Sequence, residues 1–343
     1  MKHIGMDVHS TTTDITVLNS HGRKILYRKI PTRQANLLEL IESIPGKKQV
    51  VVEESTLSDW IARLLKPHVT EFIRCQPQYN RLISESENKC DIQDSHSLAE
   101  LSYLNKLRAV HHPPQVYRDL REGVRAYWFS SRQVARAKNR LKAFLLFNGI
   151  ENQGKQAYSQ QQRSSMLDKV KNSQANLKLA SIRYWELDAV RQSQLQHLHL
   201  IRELAQPLKD KVKTLRTIPG IGEIVSHTLV AYLEDGWRFS NKRKLWQYCG
   251  IGIRRYETAG KGTEGASRKG NRCLKNALMI AAAHILTGCN GDNALWRIWC
   301  NQRAAGIDPR RSRRNIARKI AVISQHLLRH KESYDDERII TVQ

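Results

Sequence analysis

The run QVVVEES, residues 49–55, decides the fold of the first part of the chain. Three consecutive valines followed by two glutamates are typical of a central strand of a sheet that ends at a polar edge. The other predicted elements of this part lie on either side of it: strands at 2–8 (KHIGMDV), 13–19 (TDITVLN), 23–30 and 71–75, and helices at 34–43 and 58–65. Three strands in a meander, followed by alternating helix and strand, predict a layered α/β domain.

That order of elements is typical of an α/β fold of the ribonuclease-H type, and two acids fall where such a fold places a site. Asp7 lies inside the first apolar strand, where an unpaired carboxylate is costly to bury. Glu54 lies at the carboxyl end of the valine strand, and open α/β sheets bind their ligands at that edge. Glu53 is the alternative to Glu54, because successive side chains of a strand point to opposite faces.

Two further acids, Asp91 and Asp94, lie three residues apart in the helix-like run NKCDIQDSHSLAEL (88–101). At this spacing both carboxylates face the same side of a helix. One interpretation is a first helical turn whose acids complement the helix dipole. The other is a metal site, because carboxylates that converge from separate elements repel one another unless Mg²⁺ or Mn²⁺ binds between them.

The charge of the chain is strongly positive and unevenly distributed. The 343 residues carry a formal net charge of +25 at pH 7, with 57 Lys and Arg against 32 Asp and Glu. Residues 1–106 contain 14 basic and 13 acidic residues, whereas residues 107–343 contain 43 and 19. We therefore predict a balanced catalytic module joined to a module that binds nucleic acid. An acidic membrane surface is the weaker alternative, because the basic residues are spread over many elements.

The cysteine pattern and the hydropathy exclude several classes of protein. The six cysteines are scattered without a CxxC pair, which predicts a reducing compartment and neither a disulfide framework nor a zinc ribbon. No apolar run is long enough to predict a membrane span. The first residues, MKHIGMDVHS, lack the apolar stretch of a signal peptide, so we expect a cytoplasmic protein.

The middle of the chain predicts long helices. A helix that starts after Pro113 and Pro114 and stops at Gly149 has an apolar stripe and a basic stripe. The basic stripe contains Arg118, Arg121, Arg125, Arg132, Arg136, Lys138, Arg140 and Lys142. We interpret it as an arm that contacts nucleic acid, and the alternative is a coiled-coil arm with a solvated face. The predicted domains are therefore 1–106 (catalytic), 107–213 (helical arm) and 214–343.

The last domain contains two further motifs. IPGIG (218–222) lies between two helical segments, and the backbone amides around Gly220 and Gly222 could hold a phosphate or serve only in a packing turn. Downstream, Thr258 and Ser267 are hydroxyl nucleophiles within a predicted Gly-rich basic loop. Its basic residues are Arg254, Arg255, Lys261, Arg268, Lys269 and Arg272. The run DPRRSRRNIARKI (308–320) is predicted to be a solvated or phosphate-facing basic element.

These motifs, in this order, resemble one family over roughly residues 2–330. The motifs are Asp7, VVEES, KCDIQD, the helix from HHPP to NGI, IPGIG, and RRYETAGK with GASRKGNR. The chain resembles the DEDD transposases of bacterial insertion sequences, in the family numbered one hundred and ten, which includes the Piv-type DNA invertases. The resemblance implies a RuvC-like domain whose metal-binding acids are Asp7, Glu54, Asp91 and Asp94.

The same resemblance implies the remaining properties. It implies a helical arm used in assembly and RNA contact, and a mostly α-helical transposase domain with a helix-hairpin-helix-like IPGIG motif. It also implies a homo-oligomer (a dimer or tetramer), DNA as the substrate, and for several members a structured guide RNA. Such a protein works in the bacterial cytoplasm and is associated with the nucleoid when it is bound to DNA.

The main departure from the family pattern is at the nucleophile, and a milder one is DSHS at 94–97, where the family usually has Asp-Ala. The serine nucleophile of the family is replaced here by Thr258, whose hydroxyl supports the same chemistry but whose methyl group crowds in-line attack. The nucleophile is therefore Thr258 or Ser267, or the enzyme is impaired. The alternatives to a covalent recombinase are a RuvC-like endonuclease that uses metal-activated water, and a nucleic-acid-binding remnant without catalysis.

Overall fold

The computed structural model describes residues 1–76, 91–107, 109–151, 154–170, 173–258, 261–266, 270–287 and 291–341. The chain forms two compact units, Met1–His112 and Pro113–Gln343. The finer division of the second unit into an arm and a terminal domain at residue 213 stays a prediction.

The first unit is a mixed sheet covered by helices, as the sequence predicts. Its strands are β1 (Lys2–Val8), β2 (Thr12–Leu18), β3 (Lys24–Pro31), β4 (Lys48–Glu53) and β5 (Glu71–Cys75). Its helices are α1 (Gln34–Ser43), α2 (Ser58–Leu65) and α3 (Asp91–Tyr103). The strand order in the described sheet is β3-β2-β1-β4-β5. The pairs β1–β2 and β2–β3 are antiparallel, whereas β1–β4 and β4–β5 are parallel.

The sheet has a core on each face. On one face, apolar residues of β1, β2 and β4 pack with α1 and α2; this cluster contains Ile4, Met6, Ile15, Val17, Val50 and Val52 together with Leu37, Ile41, Ile61 and Leu65. On the other face, Val51, Cys75 and Leu98 of α3 form a smaller cluster. The valine run is therefore buried on both faces, which explains why it lacks the polar alternation of a half-exposed strand.

The second unit is almost entirely helical. Its helices are α4 (Gln115–Phe147), α5 (Arg163–Lys169), α6 (Gln174–Leu204), α7 (Lys209–Arg216), α8 (Glu223–Leu233), α9 (Lys242–Tyr248), α10 (Arg272–Leu286), α11 (Ala294–Ala304), α12 (Pro309–His330) and α13 (Asp336–Thr341). Its main core joins the first half of α4 to α8, α10 and α12. A separate cluster joins the second half of α4, α5 and α6, and includes Leu141 and Tyr184.

The basic segment around Thr258 contains regular structure that the sequence did not predict. Ile253–Thr258 (β6) and Lys261–Ala266 (β7) pair antiparallel, with Thr258 opposite Lys261. The prediction of a loop was wrong for these residues. The loop was predicted because Gly262 and Gly265 lower the strand propensity of this segment, which nevertheless forms a hairpin.

Each of the two predicted basic segments places one arginine in the core. Arg121 of the predicted basic stripe is buried, and Arg318 of the 308–320 element is buried in α12, where its Nε donates to the backbone oxygen of Ile251 at 2.7 Å. Arg313 donates to the backbone oxygen of Met279. The prediction of a wholly solvated or ligand-facing surface was therefore wrong at these positions.

No helix among the described residues is long and apolar enough to cross a membrane.

Candidate active site

Asp7 lies at the carboxyl edge of the parallel strand pair. The register of β1 and β4 runs from Lys2 with Lys48 to Met6 with Val52. Asp7 comes directly after this ladder on β1. Its Oδ2 is 3.0 Å from Nε2 of His9, and the side chain is 17% exposed. The carboxylate therefore reaches solvent at the edge where a parallel sheet places a site.

The side chains of β1 alternate between the two layers of the unit. Met6 packs in the core that contains α1 and α2. Gly5 faces α3 so closely that an added Cβ would come within 2.1 Å of the backbone oxygen of Ser95. Because successive side chains of a strand point to opposite faces, Asp7 belongs to the α3 face of the sheet.

Glu53 lies on that face as well. Val52 packs with α1 and α2, whereas Val51 packs with Leu98 of α3. By alternation Glu53, the last residue of β4, points to the side of Val51. The parallel register also places Glu53 beside Asp7, since both follow the Met6–Val52 pair.

Helix α3 runs antiparallel to β1. Near its end, the Oγ of Ser102 is 2.8 Å from Nδ1 of His3, whose pKa is lowered by burial. Further toward its start, Ser95 lies against Gly5 and shares a hydroxyl hydrogen bond of 2.8 Å with Thr16. The chain direction of α3 therefore brings its first turn toward the carboxyl end of β1.

That first turn carries the remaining two predicted acids. Asp91 is the first residue of α3, and its side chain lies outside the described residues. Asp94 is exposed. Its position one residue before Ser95 places it at the end of α3 that approaches Asp7.

Glu54 is held by an arginine. It follows β4, its carboxylate is 3.6 Å from Nε of Arg74, and its side chain is 41% exposed. The Arg74 side chain is only 7% exposed. It also donates to Asp59 of α2 at 3.0 Å and makes a close contact with His112. The structure thus brings Asp7 and Glu53 to one face, whereas Glu54 joins a network that includes α2.

The described side chains do not by themselves form a metal centre. Among them, no three His, Cys, Asp or Glu residues come together closely enough to hold an ion. The side chain of Asp91 is not part of that set. The donors that reach this edge are carboxylate oxygens, which are the ligands that Mg²⁺ and Mn²⁺ prefer, so the chemistry of the set fits such an ion.

Sequence reasoning missed Asp14, a buried acid opposite Asp7 in the β1–β2 register. Its carboxylate accepts a hydrogen bond from the Tyr27 hydroxyl and lies 3.3 Å from Nζ of Lys29. The available signal was an Asp within the apolar run TDITVL. Tyr27 and Lys29 both belong to β3, so the Asp14 side chain is held by contacts within the sheet.

In the second unit, the two glycines of IPGIG have different surroundings. Gly220 has φ +79°, and an added Cβ would lie 2.6 Å from the backbone oxygen of Ala281 in α10. Its role in the structure is therefore close packing. Gly222 is the N-cap of α8, and the position of its absent Cβ has no neighbour within 4 Å. The backbone at the start of α8 is thus open to approach.

The candidate nucleophile lies at the end of the β6–β7 hairpin. Thr258 and Lys261 are the last paired residues, whereas Arg254 and Arg255 pair further along the ribbon. Side chains of these strand residues lie outside the described set, as do Ser267, Arg268 and Lys269. Arg272 is exposed in the first turn of α10. The hairpin register places the Thr258 backbone at one end of the β6–β7 ladder, opposite Lys261.

Comparisons with known proteins identify the family. A family model of DEDD transposases of the IS110 type matches residues 4–148, which contain the sheet except the first two residues of β1, together with α3 and all of α4. A second family model, Transposase IS116/IS110/IS902 family, matches residues 212–295, which contain IPGIG and the hairpin.

A relative supports the same assignment over most of the chain. The transposase for insertion sequence element IS1328 of Yersinia enterocolitica is 24% identical over 286 residues, which cover 81% of this chain and 82% of the relative. A transposase acts on DNA, and the DEDD class in general depends on divalent metal ions. The chain belongs to the IS110 family of DEDD transposases and is a DNA-acting recombinase of the insertion-sequence type.

Proposed function

We propose that this transposase cuts and rejoins DNA through a RuvC-like first unit and a side-chain hydroxyl in the second unit. The observation that carries the proposal is the common edge at which Asp7, the end of β4 and the first turn of α3 meet. The mixed strand order β3-β2-β1-β4-β5 supports a RuvC-like fold of the ribonuclease-H type.

We propose Asp7, Glu54, Asp91 and Asp94 as the ligands of Mg²⁺ or Mn²⁺. Such an ion neutralises the negative charge that develops on a phosphate during transfer. Glu53 is the rival of Glu54, and its register beside Asp7 supports it. If Glu53 is the ligand, the contact of Arg74 with Glu54 serves to hold Glu54 in place.

Calorimetry with Mg²⁺ and Mn²⁺ tests the ligand set independently of catalysis. We expect Asp7→Asn to weaken binding at least tenfold, which corresponds to about 1.4 kcal/mol. One of Glu53→Gln and Glu54→Gln should do the same, and the affected variant identifies the ligand. Glu39→Gln, an exposed acid of α1, is the matched control. A wild-type chain that binds neither ion, with or without DNA, would contradict the metal site and favour the non-catalytic remnant.

The proposed chemical step uses Thr258. Its Oγ1 attacks a DNA phosphorus, the bond from phosphorus to the leaving deoxyribose oxygen breaks, and that oxygen gains a proton from solvent. The threonine hydroxyl releases its proton to solvent, and the product is a phosphothreonine ester. Attack on this ester by the hydroxyl of another DNA end rejoins the strand and restores the threonine.

Trapping of the ester tests this step. We incubate the enzyme with nicked DNA and a divalent ion, denature it, and look for protein-linked DNA. We expect an adduct with wild type and with Thr263→Ala, a threonine in the same hairpin, and none with Thr258→Ala. An adduct lost only in Ser267→Ala reassigns the nucleophile. Cut DNA without any adduct contradicts covalent transfer and favours an endonuclease that uses water.

We further propose a homo-oligomer guided by a structured RNA. The helical segment of the second unit exposes large apolar side chains, among them Phe147, which is 88% exposed, and Trp185. Such side chains favour self-association. Light scattering of wild type and Trp185→Ser tests the oligomer, and sequencing of RNA that copurifies with the chain tests the guide. A monomeric, RNA-free wild type would contradict both proposals.

A further inference from the structure

A basic cleft lies next to the IPGIG turn in the second unit. It has a volume of about 530 Å³ and is bordered by the end of α6, by α7 and by the start of α8. Its charged lining residues are Arg202, Lys209, Lys213, Arg216 and Glu223. The sequence motifs do not include these basic residues, which precede IPGIG.

The only acid among the described lining residues, Glu223, is paired with an arginine of the same cleft. Arg202 binds Glu223 through two hydrogen bonds, Nε to Oε1 at 2.7 Å and a terminal nitrogen to Oε2 at 3.0 Å. The Arg202 hydrogen bond holds the pKa of Glu223 below its usual value, so the carboxylate is charged and paired near neutral pH. Among the described lining residues Glu223 is the only acid, and its charge is therefore balanced within the cleft wall.

Three positive charges remain. Lys209, Lys213 and Arg216 follow one another by four and three residues in α7, so they share one face of the helix. All three are exposed. Arg216 also lies near enough to Glu223 to contribute to the lowered pKa of that carboxyl, although the Arg202 hydrogen bond is the larger cause. At a rise of about 1.5 Å per residue, they span roughly 10 Å along the helix axis.

The border formed by the start of α8 contains backbone amides as well as side chains. Glu223, one of its lining residues, is the first residue of α8, and the preceding Gly222 has no neighbour within 4 Å of its absent Cβ. A ligand that contacts the three cations therefore lies in the same cleft as the start of α8. Amides at a helix start favour anions.

We propose that this cleft binds backbone phosphates of DNA through Lys209, Lys213 and Arg216. The proposal rests on the proposed function, because it assigns part of the DNA-binding surface of the transposase. A row of separate cations on one helix face suits a polyanion with repeated phosphates better than a single small anion. Each cation that neutralises a phosphate releases condensed counterions, so its contribution is visible in the salt dependence of binding.

The test compares two double variants with the same loss of charge. Lys213→Gln with Arg216→Gln removes two cleft cations, and Arg243→Gln with Lys244→Gln removes two exposed cations of α9. Binding of duplex DNA is measured by fluorescence anisotropy at a series of salt concentrations. We expect the plot of log affinity against log salt to become shallower for the cleft variant. The magnitude of its negative slope should decrease by about 2, because each phosphate contact contributes about 1. We expect little change for the α9 variant.

Every outcome bears on the proposal. Unchanged slopes for both variants, with salt-dependent binding by wild type, overturn the cleft and leave the proposed function intact. Equal losses for the two variants also overturn it, since they indicate diffuse attraction. A wild type without salt-dependent DNA binding overturns the cleft and the proposed DNA surface together. A loss seen with duplex RNA of the same length but not with DNA overturns the assignment to DNA. Melting temperatures of the two double variants equal to that of wild type show that the variants are folded.

Discussion

Arg121 carries a positive charge into the core of the second unit. Its Nε donates to the backbone oxygen of Ala231, and its terminal nitrogen binds Glu234, both at 2.8 Å. Both side chains of the ion pair are nearly buried. Glu234 has φ +60°, which is unusual for a residue with a side chain. The ion pair thus fixes the end of α8 against α4.

We expect Arg121→Met to lower the free energy of unfolding by about 3 to 5 kcal/mol, because it leaves the Glu234 carboxylate buried without its main partner. Urea unfolding followed by circular dichroism measures the loss. Arg125→Met is the control, since Arg125 pairs with Glu122 at the surface and such pairs contribute about 0 to 1 kcal/mol. Equal effects of the two variants would contradict a role for the buried pair.

His227 is a buried titratable group in the wall of the basic cleft. Its Nδ1 donates to the backbone oxygen of Glu223 at 2.7 Å. Burial lowers the pKa of His227 below 6.5, although this hydrogen bond opposes the change. The neutral imidazole is therefore the form that the fold accommodates.

This lowered pKa predicts a loss of stability in acid. Between pH 6.5 and the lower pKa of the folded state, the unfolded chain binds more protons, so the free energy of unfolding falls as pH falls through this window. We expect His227→Gln to reduce this loss between about pH 7.5 and about pH 5.5. The control His284→Gln, at an exposed position of α10, should show the same loss of stability in acid as wild type. Identical pH profiles for wild type and His227→Gln would contradict the prediction.

Local sequence patterns predict which side chains of a strand share a face, but they do not predict the partners of buried charges. The positions of Asp7 and Glu53 beside each other follow from strand patterns, because a strand fixes which side chains share a face. The partners of Arg121 and Arg318 do not follow from any local pattern. Glu234 and Ile251 are far from them in sequence, and only the packed helices bring these groups together.

At the scale of elements, the contact between β1 and α3 positions the candidate site. Gly5 has no side chain, so the backbone of α3 lies directly on the strand. An added Cβ would come within 2.1 Å of the Ser95 oxygen and 2.5 Å of the Ala99 nitrogen. Such contacts with backbone atoms cannot be relieved by a change of rotamer.

We expect Gly5→Ala to lower the free energy of unfolding by about 1 to 3 kcal/mol or more, since it forces the helix away from the sheet. The same displacement should weaken Mg²⁺ binding, because it moves the first turn of α3 from the edge that holds Asp7. Gly265→Ala is the control, because its Cβ would meet nothing within 4 Å. Unchanged stability and metal binding of Gly5→Ala would show that α3 does not position the site.

Elements with strong periodicity are predictable, and those with many glycines are not. The helices 34–43 and 58–65 and the strands 2–8 and 71–75 have the predicted bounds. The β6–β7 hairpin was missed, because its pairing depends on the register between two Gly-containing segments and not on an apolar alternation.

The positive charge of the whole molecule is concentrated in its helical part. Most of the net charge of +25 belongs to residues 107–343, and only a part of these basic side chains is used inside the fold. The remainder is available to the DNA on which a transposase acts.

We therefore expect duplex DNA of any sequence to bind the full-length chain with a steep salt dependence. If six to ten phosphates are contacted, raising the salt from about 50 mM to about 200 mM should weaken binding roughly 10³- to 10⁵-fold. Fluorescence anisotropy at several salt concentrations measures this effect. An affinity that hardly changes over this range would contradict electrostatic binding by the second unit.

The bare backbone at Gly5 has a mechanical consequence. Because Ser95 and Ala99 occupy the volume of the missing methyl group, sliding of the helix along the strand would have to lift one layer off the other. The close fit of β1 and α3 therefore opposes sliding of the helix along the strand. We expect the carboxylates of the proposed metal site to adjust to a cation by rotation about their side-chain bonds, with the two backbones held in register.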